Sequence, residues 1–316
     1  MRPRRQTKQL SCSTDDYTGV MDRSQQPLTR DDIASGLRNL GVHAGMGLMV
    51  HSSLRSFGRV DGGAATVVAA LMDVITPAGT LLMPTFNHGA PFEPGGAGVF
   101  DPRTTRTLNG AIPDHFWRLS GVTRSLDPTH AFAAWGANAG RYIAGHHRAL
   151  TMGPQSPLGL LHADGGHALL LGVGYGSNTF HHVVEMSTAA PCLGRRTEAY
   201  PVLLPDGRRV MGRTWGWREH ACPITDHTRY AAHMQARGLD RTGQIGACRA
   251  TLFALHDCYE VVAEALRDGL DGYPPCRACT PGRACTIRPR VVAETAPSDW
   301  DEARHCPRPD SVAWTY

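Results

Sequence analysis

An imidazole and a carboxylate stand three residues apart at His182 and Glu185, within the run Asn178-Thr179-Phe180-His181-His182-Val183-Val184-Glu185. Side chains three apart on a helix share a face, so the carboxylate can hold the imidazole in one tautomer. Such a pair deprotonates a weak nucleophile near neutral pH, and His182 is the expected general base with Glu185 as its orienting partner. The neighbouring His181 is the rival base. It lies about 100° round the helix from His182 and is expected to face Glu185 less well.

Ahead of this pair, the apolar run 169–173 leads into Gly172-Val173-Gly174-Tyr175-Gly176-Ser177. A strand followed by a glycine-rich turn and a helix start presents backbone N–H donors to an open crevice. The turn resembles a dinucleotide fingerprint. Ser177 stands where a third glycine belongs, and no acidic residue follows about 20 positions later on a second strand, so a nicotinamide site is not expected.

A second donor set lies in the tail, where Cys276, Cys279 and Cys285 could be completed by His305 or Cys306. Three thiolates at this spacing suit a structural, non-catalytic zinc, which would staple a segment too small to bury a core. The last ligand pair lacks the regular spacing of a ribbon or finger, and a reduced tail without metal or a set of disulfides stays open beside it. Cys192, the cysteine nearest the His182 pair, reads as a small buried thiol. His146, His147, His162 and His167 form no HExxH-like pattern. They read as surface or packing histidines, and no catalytic metal is expected.

The elements that must position these groups follow from periodicity. Thr29 caps a helix with apolar Ile33, Leu37 and Leu40, ending at Gly41. A strand at 48–50 runs through His51-Ser52-Ser53-Leu54-Arg55-Ser56-Phe57-Gly58 and Gly62-Gly63 into a helix with apolar Val67, Val68, Leu71 and Val74, and a second strand follows at 80–83. Strand, glycine-rich loop, helix and strand make a βαβ unit and imply a largely parallel sheet. Further strands are expected at 131–135 and 168–173, and a hairpin at 200–204 and 209–212 around Pro205-Asp206-Gly207. A closing helix is expected to carry Leu252, Leu255, Val261, Val262 and Leu266. The expected class is α/β, an α/β/α sandwich around a largely parallel or mixed central sheet, with a β-hairpin excursion and a Cys-rich C-terminal tail.

The expected domains are a disordered leader at 1–27, a globular domain at 28–270 and an appendage at 271–316, rich in Cys, Pro and Arg. The 316 residues are 41% hydrophobic and 19% charged with a net charge of +4, an ordinary globular composition. That charge and the lack of a long basic run give no support to nucleic-acid binding. No apolar stretch reaches the roughly 18 residues of a membrane span, and the basic start is followed by polar residues. A cytoplasmic protein is therefore expected, without membrane or nucleic-acid partners and with no indication of oligomeric state.

Taken in order, His51-Ser52-Ser53-Leu54 with Gly58 and Gly62-Gly63, then Gly79-Thr80-Leu81-Leu82-Met83-Pro84-Thr85, Phe100-Asp101-Pro102, Arg124-Ser125, Gly153-Pro154-Gln155-Ser156-Pro157-Leu158 and Thr179-x-x-His182-x-x-Glu185 form an ordered set. Over about residues 28–268 the set resembles the aminoglycoside 3-N-acetyltransferase family, which is distinct from the GNAT-type acetyltransferases. The resemblance implies an acetyl-CoA-dependent N-acetyltransferase that acylates an amine, with His182 as base and Glu185 as its carboxylate. It also implies that the loop His51, Ser52, Ser53 and Leu54 lies along the pantetheine and phosphates of acetyl-CoA. Arg55, Gly58 and Ser156 join the expected cofactor contacts. Small hydroxyl side chains and glycines ahead of a helix let backbone amides approach a pyrophosphate, which agrees with that placement.

The acceptor side departs from the family pattern. Leu126-Asp127-Pro128 follows Arg124-Ser125 where the family usually has His-Pro, Asn109-Gly110 replaces Met-Gly, and Ala131 stands where serine is common. A polycationic acceptor needs carboxylates around its reacting amine, and Asp101 and Asp127 are the expected substrate contacts. The implied acceptor is the 3-amino group of a 2-deoxystreptamine antibiotic or a related aminated small molecule. A biosynthetic amine, such as an aminated nucleoside, amino sugar or peptide-like metabolite, is the alternative with the same chemistry. A non-catalytic CoA-binding or zinc-linked interaction protein is the alternative of another class.

Overall fold

The computed structural model describes residues 26–149, 151–187, 197–215, 227–268, 300–301 and 306–307 of the chain. Residues 1–25 of the proposed leader, Cys192, His305 and the cysteines at 276, 279 and 285 lie outside the described residues. Of Cys306 only the backbone is described, in a short antiparallel pairing of Trp300–Asp301 with Cys306–Pro307.

The first helix, α1 (Arg30–Leu40), starts at a reciprocal cap. Thr29 Oγ1 accepts from the Asp32 amide, and Asp32 accepts from the Thr29 amide at 2.9 Å. It stops at Gly41, whose φ of 109° is left-handed. There follow β1 (Gly47–Ser52), α2 (Ala64–Ile75), β2 (Thr80–Pro84), α3 (Ala111–Phe116), β3 (Thr123–Arg124) and β4 (Phe132–Gly136). Next come α4 (Ala139–Ile143), α5 (Pro157–Ala163), β5 (His167–Leu171) and α6 (Phe180–Ser187), then the hairpin of β6 (Thr197–Leu203) and β7 (Arg209–Trp215). The last are α7 (His227–Ala236), β8 (Asp240–Ile245), β9 (Cys248–Ala254) and α8 (Leu255–Asp268).

Seven strands form one sheet in the order β3-β4-β2-β1-β5-β9-β8. Only the central trio is parallel, with β1 pairing in parallel to β2 and β5, and every outer pairing is antiparallel. The sheet is thus mixed, because the βαβ crossover supplies one parallel pair and the flanking strands return without one.

Strand parity sorts the core into two layers. Leu48, Val50, Leu81, Met83, Leu169 and Leu171 pack with α1, α2 and α3. Met49, Leu82, Ala168 and Leu170 point the other way and pack with helices α4 to α8. Both faces of β1, β2 and β5 are therefore covered, which is why these strands read as unbroken apolar runs.

Two elements differ from expectation. Leu252 belongs to β9, which pairs with both β5 and β8, and the closing helix starts only at Leu255. No proline or glycine separates strand from helix, so apolar spacing alone runs them together. The edge strand β8, Asp-Arg-Thr-Gly-Gln-Ile, is polar and gives no apolar signal, as suits an edge. The hairpin forms around Asp206 and Gly207 as expected. It packs on Phe100, whose amide donates to Pro201 at 2.9 Å and whose carbonyl accepts from Leu203 at 2.8 Å.

Candidate active site

The carboxyl ends of β1 and β5 lie side by side, in register from Leu48↔His167 to Ser52↔Leu171. Loops leaving the ends of adjacent parallel strands bound a crevice, the usual ligand position in α/β sheets. The Ser53 amide donates to Leu171 O at 2.9 Å and ties the two exits together. Gly172 then turns with φ 67°, and a Cβ there would strike the Ser56 hydroxyl, so glycine alone fits. The turn closes with Ser177 N–H to Gly174 O at 3.0 Å and Asn178 N–H to Tyr175 O at 2.9 Å.

This turn delivers the chain into α6. Asn178 is fully buried. Its side chain accepts from the Phe180 amide at 3.2 Å and donates to the Tyr230 hydroxyl at 3.3 Å. Thr179 is held from across the crevice by His51 Nε2, which lies 3.4 Å from its amide and 3.3 Å from its hydroxyl. Burial pushes His51 down to about 4, so at neutral pH its imidazole is uncharged and able to accept both bonds. The Thr179 carbonyl in turn accepts from the His182 amide at 3.1 Å.

One turn along α6, His182 Nδ1 lies 2.8 Å from Glu185 Oε2. The Glu185 side chain is fully buried, and that of His182 is 28% exposed. With Nδ1–H donating to the carboxylate, the lone pair resides on Nε2. His181 turns elsewhere: it is buried, and its Nδ1–H donates to Asn178 O at 2.5 Å, while its ring sits 3.9 Å from that of His182.

Two more imidazoles approach from the strand β4 side. His130 stacks edge-on with Phe86 and with His88, at 4.9 and 5.3 Å between centroids. Burial pushes His130 down to about 3; Asp127 opposes this, and His88, His182 and His146 reinforce it. His88 is also held down by burial, and it takes the left-handed φ of 52°, rare for a residue with a side chain. His130 Nδ1 lies 2.7 Å from the Thr129 hydroxyl.

The sequence model of the aminoglycoside 3-N-acetyltransferase family matches residues 49–267. The chain belongs to this family. Aminoglycoside N(3)-acetyltransferase VII of Streptomyces paromomycinus is 32% identical over 269 residues, covering 77% of this chain and 92% of the relative. The structure of AAC-IIIb in binary complex with CoASH superposes with a TM-score of 0.68 at 26% identity, covering 77% of this chain and 98% of that one. AAC-VIa bound to sisomicin gives 0.67 at 28% identity, with 77% and 99% covered. The enzyme is accordingly an acetyl-CoA:amine N-acetyltransferase, with acetyl-CoA as co-substrate.

Within this acetyltransferase the contact of His51 with Thr179 sets the end of β1 against the start of α6, which carries His182 and Glu185. Ser52, Ser53 and Leu54 are half-buried in a tight loop whose Arg55 and Gly58 are exposed. Ser52 Oγ is buried and has no hydrogen-bond partner among the described residues, so a hydroxyl is available at the strand end. His51 is buried and bonded to Thr179, which makes it a strut for α6. The fully buried hydroxyl of Ser156 accepts from Gly159 N–H at 3.1 Å and caps α5. The Ser-Pro pair at a helix start carried that signal.

Asp127 is committed to the protein interior. Its side chain is fully buried, and its Oδ1 accepts from the Thr129 and His130 amides at 2.9 and 2.7 Å. Oδ2 accepts from Thr151 Oγ1 at 2.6 Å. Thr214 of β7 bonds to both Thr129 and Thr151, joining the hairpin to this knot. An aspartate two residues ahead of a free amide closes an Asx turn and spends its charge on the backbone. Asp101 likewise accepts from the Arg103 amide at 2.9 Å and guanidinium at 3.1 Å, leaving 15% of its side chain exposed. No spacing pattern in the sequence brings His88 and His130 together, whereas in the fold their ring centroids are 5.3 Å apart. No helix among the described residues is long and apolar enough to cross a membrane.

Proposed function

We propose that His182 is the general base of acetyl transfer to an amine of an aminoglycoside or related aminated small molecule, and that Glu185 holds its tautomer. The observation that carries this reading is the 2.8 Å bond between a partly exposed His182 Nδ1 and a wholly buried Glu185 carboxylate. As the amine attacks the thioester carbonyl, a proton leaves nitrogen for His182 Nε2, and the imidazolium is stabilised by Glu185. A placed base of this type contributes roughly a hundred- to ten-thousandfold. The amides of Gly172, Ser177 and Asn178 are already bonded to protein carbonyls. The amides of residues 173–176 are therefore the candidate donors to the oxyanion of the tetrahedral intermediate. CoA leaves as a thiol, so no covalent acyl-enzyme is needed.

The loop 52–58 at the end of β1 is the proposed bed for the CoA pantetheine and phosphates, supported by the available Ser52 hydroxyl and the exposed Arg55. Sisomicin, bound in a relative, is an aminated sugar antibiotic of the acceptor class proposed here. A second reading keeps the chemistry and changes the acceptor to a less cationic amine. It is favoured by the full burial of Asp127 and the pairing of Asp101 with Arg103, since a polycation would draw on open carboxylates. The deciding experiment is acetyl-CoA turnover with a panel of deoxystreptamine antibiotics, amino sugars and aminated nucleosides, run beside His182→Ala. Turnover on an aminoglycoside that disappears in the variant supports the first reading, and turnover confined to other amines supports the second. Unchanged turnover in His182→Ala removes His182 as the base.

A further inference from the structure

We propose that His181, His182 and Glu185 form a binding site for a borderline divalent cation such as Zn²⁺, and that occupancy of this site switches the base off. Each of the three residues offers one ligand atom, and these atoms lie within 4.8 Å of one another. Glu185 follows His181 by four residues and His182 by three, so both imidazoles flank one carboxylate on a single helical turn. Two imidazoles and a carboxylate with an open fourth position are a common zinc donor set.

The donor atoms, within 4.8 Å of one another, need to draw in by at most about 1.5 Å. Zinc bonds of about 2.0–2.1 Å in a tetrahedron separate ligand atoms by roughly 3.3 Å. His182 Nδ1 and Glu185 Oε2, at 2.8 Å, must part by about half an ångström. His181 carries the outer bond that orients metal-bound imidazoles, because its Nδ1–H donates to the Asn178 carbonyl at 2.5 Å and its lone pair is on Nε2. Asn178 is itself fixed by Tyr230 and the Phe180 amide, so that orientation is built into the start of α6. The partly exposed edge of His182 is the way in.

Inhibition follows from proton bookkeeping. In the metal-free protein, His182 holds its proton on Nδ1 and its lone pair on Nε2. The cation takes the Nδ1 lone pair and shares the Glu185 carboxylate, and the single proton of the neutral ring then resides on Nε2. Nitrogen that was a base has become a donor, with no change in the total number of protons. The cation thereby stops proton abstraction without filling the position of the amine. Only this inhibitory consequence rests on the function proposed above; binding itself does not.

The test uses the full-length enzyme after EDTA treatment, with His181→Asn as the variant. Turnover is followed by loss of thioester absorbance, since free CoA thiol binds zinc. Co²⁺ serves as the optical probe of binding. The expected result is Zn²⁺ inhibition reversed by EDTA, with visible cobalt d–d bands and a midpoint at least tenfold higher in His181→Asn, whose zinc-free turnover stays within about threefold of wild type. Cobalt spectra dominated by thiolate charge transfer would place the metal on cysteines and overturn the proposal, as would equal inhibition of both proteins or no inhibition. If His181→Asn does not fold, paramagnetic loss of the His182 ring resonances in the wild-type protein with Co²⁺ decides, and unaffected resonances refute the site. The cobalt measurement also answers if no amine in the panel is acetylated, so failure of the binding proposal is separable from failure of the functional one.

Discussion

Replacing Glu185 with Gln keeps the shape of the buried side chain and an oxygen facing His182, and removes the charge. The carboxylate matters in proportion to how much more strongly it binds the imidazolium of the transition state than the neutral ring of the resting enzyme. Unit charges about 4 Å apart at an effective dielectric near 20 interact by roughly 4 kcal/mol. His182 is partly exposed and already bonded to Glu185 at 2.8 Å before reaction, so only a part of that is differential. A charge-assisted bond contributes about 1.5–3 kcal/mol, which corresponds to a loss of about ten- to 150-fold in kcat/KM. Thioester turnover should be compared in four proteins: wild type, Glu185→Gln, His182→Ala and the double variant. If the residues act as one unit, Glu185→Gln costs the wild type its full factor and costs His182→Ala almost nothing. Equal losses in both backgrounds would show that Glu185 supports the helix and not the base, and the dyad would have to be abandoned.

Substituting His51 with Ala should lower kcat by about tenfold with little change in KM for the amine, through a displaced α6. His51→Gln, whose oxygen can accept from Thr179, should recover most of that loss; similar behaviour of the two variants would remove the strut. Stability should fall as pH drops below about 6.5, the value at which unfolded histidines take up protons, because folded His51 and His130 resist protonation until about 4 and about 3. Their contribution is whole above pH 6.5 and erodes below it, with a slope approaching about 3 kcal/mol per pH unit when both resist. Urea titrations at pH 7, 6 and 5 read it, and equal midpoints would contradict the burial of these rings. Gly172→Ala should destabilise by about 2–4 kcal/mol, from its left-handed φ and the clash with Ser56. Restored stability on adding Ser56→Gly would locate the clash, whereas a single variant as stable as wild type would discount it.

Legibility varied with the range of the interaction. The His182–Glu185 bond spans three residues and was readable from spacing, as were the Thr29 cap and the βαβ unit of β1, α2 and β2. The strand–helix junction at Leu255 was not, since a buried strand and an amphipathic helix share the same apolar residues when nothing breaks between them. Strand β8 was invisible because an edge tolerates polar residues. The contact of His51 with Thr179 was invisible because it crosses 128 positions of sequence. The surroundings of Asp127 were hidden for a similar reason: a lone aspartate reads as an available charge until Thr151 is folded against it.

The knot around Asp127 carries a consequence for exchanging parts between relatives. Its hydrogen bonds join the turn at 127–130, Thr151 and the hairpin strand β7, three stretches far apart along the chain. A chimera that imports the hairpin of another family member, or only its divergent turn, leaves a buried carboxylate or hydroxyl without its mate. Such hybrids should express poorly unless all three stretches travel together.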